Sequence, residues 1–180
     1  MGYRMKIVHR GDDGYTDIIG ARIPKDSYII EFIGSVDELV SFLGIIRSTI
    51  GENEALREIA TKIKSIQLTL MKVAGIAAGD HRHSDLFNKY VEDLEKEIIT
   101  FSKIVNVNHC FVVPGSSLES SLLHFARTLC RSVERRAVAL LRNGLINKSV
   151  YVYLNRLSDL LYVYALYVDV IRGIEFECLD

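Results

Sequence analysis

Residues 151–171 read YVYLNRLSDLLYVYALYVDVI. The apolar side chains fall on more than one face of the helix this stretch forms, so neighbours must cover it on several sides. A bilayer is the wrong cover: the apolar run is short and Asp169 interrupts it. The stretch reads as a helix buried among other helices, from Lys148 to Ile171.

Its surroundings supply those helices. A helix is expected from Ile29 to Ile50, with Ser35 as a local N-cap and Glu38 completing a capping box. Gly34 then marks its start. A second spans Asn53 to Ala78 on the stripe Leu56, Ile59, Ile63, Ile66, Leu70, Val73 and Ala77, closed by Gly79 as C-cap. A third spans Ser84 to Ile104, with Leu86, Tyr90, Leu94, Ile98 and Phe101 facing the core. A fourth begins at Ser116 or Ser117, with Ser116 and Glu119 as its capping signal, and runs to Arg142. Five long helices with short connections predict an all-α, five-helix up-down bundle in one domain: residues 28–172 form the bundle, 1–27 a glycine-rich loop and 173–180 a tail. The apolar surface exceeds what one such bundle covers, which predicts a homo-oligomer.

Composition excludes several function classes. The net charge of −1 over 180 residues argues against general nucleic-acid binding. No run is long and charge-free enough to span a membrane. Cys110, Cys130 and Cys178 are odd in number and lack metal-ligand spacing; with no signal peptide, they point to a reducing, cytoplasmic setting.

Three places can carry chemistry. In HFARTLCRSVERRAVALL, residues 124–141, Arg127, Arg131 and Arg135 are successive i, i+4 neighbours with Glu134 beside them. Like charges repel at that spacing, so anions belong opposite: phosphates or carboxylates of a ligand, or acids of another helix. The N-terminal loop has Gly11, Asp12, Gly14, Thr16, Gly20, Arg22 and Lys25. Its glycines admit phosphate oxygens to the backbone, yet it is no Walker A loop, and a floppy terminus would look similar. Asn155 and Asp159 share a face of the fifth helix, to bind a nucleotide or to satisfy Arg156 or the arginines of the fourth helix. His81 and His83 beside Asp80 and Asp85 have the residue types of a metal site, a composition more often merely polar. No nucleophile–base triad stands out.

The order of these motifs is more specific than any one of them. A glycine-rich loop ending in Lys25 leads to GSVDEL, IQLTLMKVAGIAA, FVVPGSS, ARTLCRSVER and YLNRLSDLLYVYA. From Arg10 to Ala165 the chain resembles the PduO-type ATP:cob(I)alamin adenosyltransferases. The resemblance implies a five-helix homotrimer with active sites at subunit interfaces. It implies transfer of the 5′-deoxyadenosyl group of ATP to the cobalt of cob(I)alamin, giving adenosylcobalamin and triphosphate, with Mg2+ accompanying ATP. It also implies dealings with a reductase and an adenosylcobalamin-dependent acceptor enzyme.

By the same resemblance, Arg131 contacts the triphosphate, and Glu134, Arg135, Asn155 and Asp159 lie in the ATP site. Gly11, Asp12, Gly14 and Lys25 belong to the loop that closes over ATP. Asp37 pairs with Arg127 across the subunit interface. Phe111 lies below the corrin ring and excludes the lower axial ligand. The chain departs from the family at Arg10, Asp17, Ser132 and Ser116, where threonine, glycine, arginine and glycine are usual. Poor ATP binding caused by the loop changes would favour a non-catalytic corrinoid carrier or a nucleotide-binding regulator.

Overall fold

The computed structural model describes residues 10–105 and 111–179. Five helices follow one another: α1 (Tyr28–Ile50), α2 (Arg57–Ala77), α3 (Phe87–Val105), α4 (Leu118–Arg142) and α5 (Lys148–Ile171). They pack α1 on α2, α1 on α4, α4 on α5 and α3 on α5. As its composition requires, α5 is the most enclosed, with Leu154, Leu157, Leu160, Leu161, Tyr164 and Val168 fully buried. The α2 stripe is buried throughout, from Leu56 to Ala77.

Helix boundaries shift where a different polar group does the capping. Helix α1 starts after Ser27, not at Gly34, and Ser35 sits inside it with its hydroxyl donating to the Phe32 carbonyl. The chain enters α2 and α3 through 3-10 turns, at Glu54–Leu56 and His81–Leu86. In the second of these Leu86 is 44% exposed, outside the core expected for it. The N-cap of α4 is Ser117, whose hydroxyl accepts from the Ser120 backbone while Ser120 Oγ accepts from the Ser117 backbone. Serine thus does at the third position what glutamate was expected to do from Glu119.

Two small antiparallel ribbons flank the bundle. Residues 15–24, expected as loop, form a hairpin of β1 (Tyr15–Ile18) and β2 (Ala21–Pro24). Its turn rests on the end of α2, where the Ile19 N–H donates to the Ala78 carbonyl. Gly79 permits this contact: its φ is +100°, and a Cβ there would meet Ile19 at 3.2 Å. The tail, also expected to be irregular, forms β4 (Glu177–Leu179) against β3 (Phe111–Val113). Cys178 is disulfide-bonded, which corrects the expectation of three reduced thiols. Cys110 lies outside the described residues. Cys130 is free and buried, its thiol pushed up in pKa by desolvation. No helix among the described residues is long and apolar enough to cross a membrane.

Candidate active site

Helices α4 and α5 and strand β3 enclose a cleft of about 460 Å³. It is lined by Phe111 and Val112 from β3, Arg127 and Arg131 from α4, and Ser158, Asp159, Tyr162 and Val163 from α5. The lining combines aromatic and aliphatic side chains with two guanidinium groups and a carboxylate. Helical spacing puts Arg127 and Arg131 on the same edge of α4, and likewise Asp159 and Tyr162 on α5.

The two arginines lack acid partners. Neither Arg127 nor Arg131 makes a hydrogen bond or salt bridge among the described residues, and Arg127 Nε is buried with no acceptor. Three other arginines of the bundle do have acid partners. Arg136 pairs with Glu31 at 3.0 Å, Arg156 with Glu95 at 2.9 Å, and Arg172 with Glu119 at 2.5 Å. Arg135 only meets the Ser132 hydroxyl. Two guanidinium groups without acid partners in one cleft have the chemistry to take phosphate or carboxylate oxygens in two-point contacts. Asp159 at the rim has its carboxyl raised above the ordinary aspartate value: desolvation and the nearby Glu134 outweigh Arg156 and Arg131.

Glu134 and Asn155 form a support behind the cleft. Glu134 Oε1 accepts from Asn155 Nδ2 at 3.0 Å and from the Tyr151 hydroxyl at 3.3 Å. Asn155 Oδ1 accepts from Arg156 at 2.7 Å. Asn155 therefore satisfies Arg156, as one sequence reading allowed, and ties it to Glu134. Neither Glu134, Arg135 nor Asn155 lines the cleft. Tyr162, Ser158, Val112 and Val163 do, and sequence reasoning missed all four. Tyr162 had a signal, since it lies three residues after Asp159 on the same helix face.

The N-terminal candidates lie elsewhere in the same chain. Gly14 and Lys25 line a separate hollow with Tyr15, Pro24 and Asp26. Lys25 donates to the Gly11 carbonyl at 2.6 Å, closing the loop on itself. Arg22 holds Asp13 at 2.8 Å and Asp17 at 3.4 Å, and Arg10 also reaches Asp17. Arg22 keeps the Asp13 carboxyl below the ordinary carboxylate range. Asp12 is exposed beside them. Asp37 lines a third cavity, of about 480 Å³, with Thr16, Asp17, Gly34, Met71 and Ala74. Within one copy, neither the hairpin nor Asp37 joins the Arg131 cleft. The histidine loop is polar and locally engaged: Asp80 accepts from the Arg82 side chain, and no metal-binding group of three or more side chains occurs among the described residues.

Residues 7–168 match the family model for cobalamin adenosyltransferase. The chain is 35% identical over 166 residues to the corrinoid adenosyltransferase of Bacillus subtilis, covering 91% of this chain and 86% of that one. It is 33% identical over 174 residues to the human corrinoid adenosyltransferase MMAB, covering 91% and 68%. A solved variant of the PduO-type ATP:corrinoid adenosyltransferase from Lactobacillus reuteri, complexed with cobalamin and ATP, superposes with a TM-score of 0.89. It is 31% identical, with 97% of both chains covered. A second variant of that enzyme, complexed with ATP, gives 0.87 at 30% identity, with 95% of this chain and 98% of that one covered.

Proposed function

The chain belongs to the cobalamin adenosyltransferase family and transfers the 5′-deoxyadenosyl group of ATP to the cobalt of reduced cobalamin; we propose that it does so in the cleft between α4 and α5. Arg127 and Arg131, which line the cleft and have no acid partner among the described residues, carry this assignment.

Cob(I)alamin attacks the ribose 5′ carbon through cobalt. The new bond is carbon–cobalt, the broken bond joins C5′ to the phosphate oxygen, and triphosphate leaves with both electrons of that bond. Negative charge grows on the leaving oxygen, so fixed cations aimed there lower the barrier. Arg131 is the cleft's exposed, uncommitted guanidinium and takes that role. No proton is removed from the nucleophile, so no general base is required. Phe111, 82% exposed at the mouth, offers an apolar face below the corrin ring. Such a face cannot ligate cobalt and keeps a lower ligand away. Glu134 and Asn155 brace α4 against α5, which holds Arg131 in place.

Magnesium fits this chain as a passenger of ATP. Mg2+ commonly uses one or two carboxylates and completes its shell with phosphate oxygens and water. Asp159 is the carboxylate that lines the cleft and would hold the ion, which would supply charge neutralisation to the triphosphate.

The working unit is a homotrimer with each site shared between copies. Three observations support it. The hairpin with Gly11, Asp12, Gly14 and Lys25 lies apart from the arginine cleft. Neither Asp37 nor Arg127 has an oppositely charged partner among the described residues, and the two line different cavities of one copy. Ile45, Leu68, Met71 and Phe125 stay more than half exposed on α1, α2 and α4. In the trimer, the hairpin of one copy closes over ATP held by the next. A reductase that supplies cob(I)alamin and an enzyme that accepts the product complete the reading.

The test is direct. Protein, ATP, magnesium and chemically reduced cob(I)alamin are mixed without oxygen, and a light-sensitive carbon–cobalt product is followed by absorbance. Triphosphate must appear in equal amount. Corrinoid binding without triphosphate would make the protein a carrier instead.

A further inference from the structure

We propose that Tyr162 is a positioning residue: its ring holds the Arg127 guanidinium at the cleft, and His124 braces the ring from behind. The inference rests on the assignment of the cleft to adenosyl transfer.

An arginine without an acid partner would ordinarily swing into water. Arg127 is instead half-buried, with its guanidinium 5.9 Å from the centroid of the Tyr162 ring. A cation at that distance over an aromatic face is held by the ring quadrupole, more firmly as water is excluded. The ring itself is fixed. The His124 ring packs against it at 5.8 Å with the planes 62° apart. His124, one turn before Arg127 on α4, is only 4% exposed, and its Nδ1 is buried without a hydrogen-bond partner.

Leaving that nitrogen unpaired costs stability, so the imidazole contributes here by packing against the Tyr162 ring and not by a hydrogen bond through Nδ1. The charged groups acting on it are Arg127 from its own helix and Asp169 from α5. Burial and Arg127 hold its pKa below the ordinary value, with Asp169 opposing. A neutral imidazole puts no second cation beside Arg127.

The Tyr162 hydroxyl makes no hydrogen bond among the described residues. The ring, not the hydroxyl, is therefore the part that works. The stack reserves Arg127 for an acid or phosphate arriving from outside the chain, and spares the bound state the entropy of ordering a long side chain.

The test is a variant cycle on the full-length protein, reading kcat, KM for ATP, KM for cob(I)alamin and sedimentation. Tyr162→Leu should lower kcat/KM by about threefold to thirtyfold, the range of a cation–aromatic contact. Tyr162→Phe keeps the ring and should recover most of that loss. In an Arg127→Ala background, Tyr162→Leu should cost nothing further, and it should change the same parameter that Arg127→Ala changes. Additive losses, or Tyr162→Phe falling as far as Tyr162→Leu, would overturn the proposal. Should Tyr162→Leu fail to fold, His124→Asn is run through the same cycle with the same expectation.

One readout needs no turnover. Loss of the Tyr162 ring current should move the His124 ring proton signals, and unmoved signals would refute the stack. Absence of product from the unaltered protein would count against the reaction alone.

Discussion

The Ser117 hydroxyl donates a 2.5 Å hydrogen bond to Asp169 Oδ1, tying the first turn of α4 to the last turns of α5. Asp169 is 2% exposed, and this is its side chain's hydrogen bond among the described residues. Ser117 also ends the segment that leaves β3, so the same bond anchors the strand bearing Phe111. Ser117→Ala should cost about 2 kcal/mol, because a buried carboxylate loses its donor and α4 loses its cap. Asp169→Asn, which keeps an acceptor, should cost less. Chemical denaturation of both variants measures the difference.

Arg131→Ala should lower kcat about 100-fold or more, the usual loss when a donor to developing charge is removed. Arg131 is exposed and makes no hydrogen bond or salt bridge among the described residues, so stability should change by no more than about 0.5 kcal/mol. Parallel melting curves and turnover separate the two effects. An assembled variant with full activity would remove Arg131 from the mechanism.

Phe111→Ala should leave the melting temperature nearly unchanged, since the ring is exposed and supports no core. Turnover with cobalamin should fall more than turnover with a corrinoid that lacks the lower base. Equal losses would contradict exclusion of the lower ligand.

His124 makes stability depend on pH in a defined direction. Its folded pKa lies below the ordinary histidine value of 6.5, through burial first and Arg127 second, with Asp169 opposing. Between the folded value and 6.5 the unfolded chain binds more protons, so stability rises with pH there and falls on acidification. His124→Asn should flatten the acid limb of a plot of melting temperature against pH below about 6.5. An unchanged acid limb would mean that other groups set it.

If Asp37 of one copy meets Arg127 of the next, as proposed, Asp37→Arg should weaken assembly by setting two cations face to face. Combining it with Arg127→Asp should restore assembly in part, as expected for partners in direct contact. Sedimentation velocity reads both states. Because Arg127 also serves the cleft, recovery of activity is not expected.

Much of this was legible because it is local. Lys148–Ile171 emerges with its expected limits, since apolar residues on several faces leave only a central place in a bundle. Arg127 and Arg131 were marked by spacing alone, and both line the cleft. Glu134, Arg135 and Asn155 were marked too, but they stand beside it, because one helical turn decides between lining a cavity and bracing its wall. Ser116 and Ser117 were nearly equivalent as caps; the choice fell to Ser117, and Asp169 on another helix accepts from that serine's hydroxyl.

The sequence alone determined the helical periodicity and the arginine spacing of α4, which depend on residues near one another along the chain, and the family, which the order of its motifs carries. Tertiary structure decided that the N-terminal segment is a hairpin seated on Gly79, that the tail pairs with the Phe111 strand, and that Tyr162 faces Arg127. Each of these depends on backbone or ring contacts between segments far apart in the chain. Periodicity within a segment carries no record of which distant segment will meet it.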